Sequence, residues 1–125
     1  MKTRALVVLA LAASPSMVVP QEMPPHAGGG IAAIQPLYAR VKDLLVRSAE
    51  LMPEEQYSFR PTPDVRTYGQ LLGHVSNENY LFCAGALGEP NPNTADFEKT
   101  TSKTELVKAL KDSFAYCDPA YRMAR

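Results

Sequence analysis

Three stretches of this chain repeat apolar residues at three- and four-residue steps, and none alternates apolar with polar as a half-buried strand would. That periodicity restricts the fold to an all-α class. The first stripe runs Ile34, Leu37, Tyr38, Val41, Leu44, Leu45, Ser48, Leu51 and Met52, with Gly28–Gly30 ahead of it and Pro53 behind. Pro36 fits the first turn, where its missing N–H costs nothing. Thr67 and Gln70 have the form of a capping box. The helix they open carries Tyr68, Leu71, Leu72, Val75, Asn79, Phe82 and Ala86 on one side and ends at Gly88, a good C′ residue. Ser102 and Glu105 form a second box, followed by Leu106, Leu110, Phe114, Cys117 and Tyr121. Pro119 lies inside this third stripe and is expected to kink it, because the bond to the Ala115 carbonyl is lost. Residues 53–66 and 89–100 are rich in proline and polar residues and read as ordered loops. Tyr57 and Phe59 in the first of them are expected to tuck two rings under the bundle end.

The N-terminus has a different character. Lys2 and Arg4 precede an unbroken apolar run, Ala5–Ala13, and small residues follow at Ser14 and Ser16. A basic start, a short apolar core and a small-residue exit describe a secretory signal peptide over residues 1–20. Residues 21–33 then read as a flexible leader, in which His26 is expected to be inert. The domain proper is expected at 34–125, and the location is secreted or periplasmic. The 125 residues allow one domain. Thirteen basic and thirteen acidic side chains give no net charge, which excludes the basic stripe of a nucleic-acid binder. No apolar run reaches the length of a membrane span, so no membrane association is expected after signal cleavage.

Export places the two cysteines in an oxidising compartment. Cys83 and Cys117 lie at nearly equal distances from the starts of the second and third helices. In an antiparallel hairpin they would be some 16 Å apart, far beyond the roughly 7 Å Cα limit for a bridge. In a parallel pair they come level, and a loop of about 14 residues can stretch to about 45 Å to run back along the bundle. The second and third helices are therefore expected to be parallel with a long crossover, and Cys83–Cys117 to be a disulfide or a close pair. Two separate buried thiols are the alternative.

Met52-Pro53, the Tyr57–Pro63 loop, Arg66, Leu71–Val75, Phe82-Cys83 and Phe114–Asp118 come in an order and spacing that resembles the DinB-like four-helix-bundle family, especially its secreted bacterial members. The resemblance covers about Ile34 to Arg125. It implies a bundle of four helices of which this chain supplies three. The third stripe reaches Arg125 without a stop signal, so a truncated gene or fragment is expected, with a three-helix variant as the alternative. In that family a divalent metal of the zinc or nickel type is typically held by three histidines, one on the second helix and two, four apart, on a later one. The first maps onto His74, and the other two have no counterpart here.

His74 therefore reads as a partial metal ligand or, on its bland reading, a hydrogen-bonded boundary histidine. Glu78, four residues on, is placed to accept a ring N–H or to be a solvated face charge. Asn77 and Asn79 either polarise a ligand or make surface hydrogen bonds. One histidine with one carboxylate is not a tight site, so little or no metal is expected to stay bound. The sequence holds no GxSxG elbow, phosphate loop or HExxH pair. Two functions follow. The resemblance implies a metal-dependent enzyme of the thiol-transferase type. The residues themselves suit a non-catalytic bundle acting through association, as a homo-oligomer joined along an exposed apolar edge. Mass spectrometry of exported material is expected to find a chain starting between residues 13 and 22; an intact Met1 would refute the signal peptide.

Overall fold

The computed structural model describes residues 34–123. The segments expected to be a signal peptide (1–20) and a leader (21–33) lie outside those residues. Three helices make up the fold: α1 (Ile34–Leu51), α2 (Tyr68–Leu87) and α3 (Lys103–Met123). The described residues contain no strand.

Local chemistry sets the boundaries. Thr67 and Gln70 close the capping box reciprocally: the Gln70 N–H donates to Thr67 Oγ1 at 3.1 Å, and the Thr67 N–H to Gln70 Oε1 at 2.9 Å. Gly88 ends α2 in the left-handed region at φ 71°, where a side chain would be strained. At the start of α3 the Ser102 hydroxyl accepts the Glu105 N–H at 3.4 Å, which is one half of the second box. The α3 helix continues across Pro119 to Met123. Lys103 reaches back to cap α1, donating to the carbonyls of Glu50 at 2.9 Å and Met52 at 2.7 Å.

The packing partners run in register. Gly69 abuts Leu106, Asn79 bonds Ser113, Tyr80 lies against Tyr116, and Cys83 meets Cys117. Both members of each pair advance together, so α2 and α3 are parallel. The Cys83 and Cys117 Cα atoms are 5.3 Å apart and the sulfurs are at disulfide distance. The connection between the helices, residues 88–102, is the long crossover that this arrangement needs. In contrast, Gln35 contacts Tyr121 while Glu50 contacts Lys111, so α1 runs antiparallel to α3. Leu106, Leu110, Phe114 and Cys117 are the spine of the core, all at most 3% exposed. Each of the three large apolar chains among them contributes about 1.5–3 kcal/mol by burial.

Several apolar positions fall elsewhere than the stripes suggest. On α2 the buried face is Gly69, Leu72, Gly73, Ser76, Cys83 and Ala84, whereas Leu71 and Phe82 are exposed. The reason is that α2 packs against two elements, α3 and the crossover loop, and small residues admit both. Gly73 is the tightest case, since a Cβ there would run into the Phe97 carbonyl group and the Glu98 nitrogen. On α1 only Ala49 is fully buried, and Leu37, Val41 and Leu44 face outward. Both long loops also contain short 3₁₀ turns, Glu54–Ser58 and Phe97–Lys99. Tyr57 tucks under the bundle as expected, its hydroxyl donating to the Ala49 carbonyl at 2.5 Å, but Phe59 points outward. Desolvation of the Tyr57 ring pushes its phenol up to about 12.

Two glycines of α2 give a paired test. Gly73→Ala is expected to lose about 1–3 kcal/mol in denaturant unfolding, because the loop backbone must retreat. Gly85→Ala meets nothing within 4 Å and is expected to gain up to about 1 kcal/mol from helix propensity. Equal effects of the two would contradict the close seating of the crossover on α2.

Candidate functional site

Two features stand out: a charged clasp around His74 and an apolar trough between α1 and α2. The clasp forms where the crossover loop crosses α2. Asn77 pins that loop, its Oδ1 accepting the Phe97 N–H at 3.1 Å and its Nδ2 donating to Asp96 at 3.1 Å. Asp96 in turn caps the 3₁₀ turn by accepting the Glu98 N–H at 3.2 Å. The loop so held brings Glu98 to His74, with Oε1 at 2.8 Å from Nδ1. Arg66 completes the clasp, its Nε donating to Glu98 Oε2 at 2.7 Å. The Arg66 hydrogen bond is the largest influence on Glu98 and holds its carboxyl below the ordinary range, with a smaller contribution from His74 and against a cost of desolvation.

These contacts place each residue singled out in the sequence. His74 sits half-exposed at the edge of α2 and carries a carboxylate partner, but that partner is Glu98. Glu78 lies 4.0 Å from the same Nδ1, too far for a hydrogen bond. Asn77 serves the loop, and Asn79 donates to Ser113 at 3.1 Å between α2 and α3. Cys83 and Cys117 are committed to each other. Glu98 escaped sequence reasoning because it lies 24 positions from His74 in a loop without periodicity. Arg66 was visible only as part of the family pattern.

The trough is walled by Leu37 and Val41 of α1 and by Val75 of α2, and floored by Leu45, Phe114 and Tyr121. It encloses about 280 Å³ and no charged side chain lines it. Leu44 follows Leu37 and Val41 on the same face of α1, and Leu71 and Phe82 flank Val75 on α2. A second cleft, of about 440 Å³, lies between α1 and α3 and is lined by charged side chains. There Asp118 accepts from Lys42 Nζ at 2.7 Å and from the Tyr38 hydroxyl at 2.9 Å. Burial alone would raise Asp118, but those two donors outweigh it and keep the carboxyl low. The same burial and bond raise the Tyr38 phenol well above its ordinary value.

Three helices, α2 and α3 parallel across a disulfide-distance pair, define a helical bundle with a long crossover. A scan against protein-family models matches the DinB superfamily over residues 37–124, and the chain belongs to that superfamily. Neither the curated proteins nor the solved structures gave a match. The histidine-held metal that the family implies can be tested against the donors present. His74 offers one imidazole, its Nδ1 already facing Glu98, and both cysteines are paired. Among the described residues no three His, Cys, Asp or Glu groups converge as ligands. That donor set falls short of the three protein ligands of an open centre.

The clasp makes a pH-dependent prediction. Folding lowers the Glu98 pKa, so the clasp is complete above the ordinary carboxyl value of 4.5 and is lost as pH falls below its folded value. Protection factors of the amides in residues 96–100, corrected for the pH dependence of intrinsic exchange, are expected to fall in acid, and Glu98→Gln to show that lower protection already at neutral pH. Protection in this segment independent of both pH and Glu98 would contradict the clasp.

Proposed function

We propose that this chain is an exported DinB-type bundle that works by association through the trough between α1 and α2, with His74, held in the clasp, as a single metal donor. The trough is the observation that carries this reading. A soluble helix ordinarily turns its apolar face inward, yet Leu37, Leu71 and Phe82 are each about half exposed or more. Covering apolar surface of this extent is the main driving force of association. Export is supported by the basic and apolar start of the chain and by a cysteine pair suited to an oxidising compartment. No helix among the described residues is long and apolar enough to cross a membrane.

The second reading is a metal-dependent enzyme of the thiol-transferase type. Its support is the His74–Glu98 contact, because a carboxylate on one ring nitrogen is how a metal-binding imidazole is commonly oriented. The other ligands would have to come from outside the described residues.

Calorimetric titration with zinc or nickel separates the two. The association reading expects no binding tighter than about 10 μM and loss of the residue in His74→Ala. Nanomolar binding that His74→Ala abolishes would favour the enzyme. In parallel, the purified chain is expected to brighten 1-anilinonaphthalene-8-sulfonate, and Val41→Asp to lose most of that signal with helicity unchanged. No dye signal from either protein would overturn the trough as a binding surface.

A further inference from the structure

We propose that Glu98 and Arg66 are positioning residues that hold His74 as its Nδ1–H tautomer, so that Nε2 is a bare, nucleophilic nitrogen at the surface of α2. The inference stands apart from the association reading, because it uses the clasp and no part of the trough. In a neutral imidazole one nitrogen carries the proton and the other a lone pair, and the hydrogen bond made by one nitrogen decides which.

The partner of Nδ1 can only accept. Arg66 Nε donates to Glu98 Oε2 at 2.7 Å, and Arg66 Nη2 to Oε1 at 3.4 Å. A carboxyl that receives a guanidinium on both oxygens is ionised and has no proton to give. Glu98 Oε1 lies 2.8 Å from His74 Nδ1, so the proton of that bond sits on Nδ1. Glu78 puts a second carboxylate on the same side, its Oε1 4.0 Å from Nδ1. No described residue hydrogen-bonds Nε2, and the His74 side chain is 37% exposed. The two nitrogens point in diverging directions from the ring, so the Nε2 lone pair is directed away from the Glu98 oxygen.

The backbone around Glu98 is fixed from both sides. Asn77 Oδ1 accepts the Phe97 N–H at 3.1 Å, Asp96 accepts the Glu98 N–H at 3.2 Å, and the Thr100 N–H donates to the Phe97 carbonyl at 3.1 Å. Gly73, the residue before His74, leaves the room this backbone occupies. Arg66 is the residue before the Thr67 cap, which ties it to the start of the same helix. A hydrogen bond to an ionised acceptor biases the two tautomers by about tenfold or more. When Nε2 then bonds a proton or an acyl carbon, the ring becomes cationic with its Nδ1 proton in place, and the Glu98 carboxylate lies against the new charge.

The test is nitrogen-15 NMR of the ring-labelled chain at about pH 9, where an imidazole is neutral. His74 is expected to show a protonated Nδ1 and a bare Nε2. Glu98→Leu is expected to revert to the Nε2–H form with helicity unchanged, Arg66→Met to lower the Nδ1–H share about threefold, and Glu78→Gln to leave it as it is. Diethyl pyrocarbonate reads the same nitrogen by reaction: Nε2 attacks a carbonyl carbon, the bond to the ethyl carbonate leaving group breaks, and the ring releases its Nδ1 proton. Peptide mapping separates His74 from His26. Glu98→Leu is expected to slow carbethoxylation of His74 about tenfold, because the lone pair then lies on Nδ1 against the loop. An Nε2–H ring in the wild-type chain would overturn the proposal, as would an Nδ1–H ring that persists in folded Glu98→Leu. An absent dye signal beside the expected tautomer would strike the association reading alone.

Discussion

Everything in this fold hangs on the close parallel seating of α2 on α3. Leu106, Leu110, Phe114 and Cys117 present one unbroken row, and α2 answers it with Gly69, Leu72, Ser76, Asn79 and Cys83. Small residues on α2 let the helices approach, and the cysteine pair fixes the sliding coordinate. A covalent link closing a loop of this length removes about 3–4 kcal/mol of chain entropy from the unfolded state. Parallel seating forces a long crossover, and the crossover has to lie somewhere. It lies along α2, over Gly73, and so brings Glu98 to His74.

With α2 occupied by α3 on one side and by the crossover on another, its remaining side faces α1 across an open trough. α1 is anchored to α3 alone along most of its length, through Lys42–Asp118, Lys111–Glu50 and the stacked rings of Tyr38 and Tyr121 at 3.7 Å. These ties, with Tyr38, Leu45, Ala49 and Met52 packed on the core, hold α1 and leave Leu37, Val41 and Leu44 of its stripe exposed. The trough follows from this division of labour. One set of contacts keeps α1 in place, and the apolar residues outside that set stay exposed among the described residues.

How far the sequence reveals this depends on which forces are local. Helix caps are local, and Thr67, Gln70 and Gly88 act as their residue types dictate. The parallel topology was legible because two cysteines and two helix starts reduce it to a length argument. The buried face of α2 was not legible, because glycine, serine and alanine carry no hydropathy signal. Phe59 illustrates the same limit, for an aromatic in a proline-rich loop gives no indication of which way the backbone will turn it. His74 was visible through the family pattern, but Glu98 reaches it only once the loop has folded back, a non-local consequence of packing. The DinB superfamily membership covers residues 37–124 and accounts for the helices. The apolar trough agrees with the four-helix family pattern, since three helices of such a bundle leave one apolar groove uncovered among the described residues.

The central claim, that α2 and α3 run parallel and are locked level by the Cys83–Cys117 pair, is tested most directly by thiol titration of the unfolded chain before and after reduction. The account predicts no titratable thiol before reduction and two after it. Two titratable thiols before reduction would contradict it.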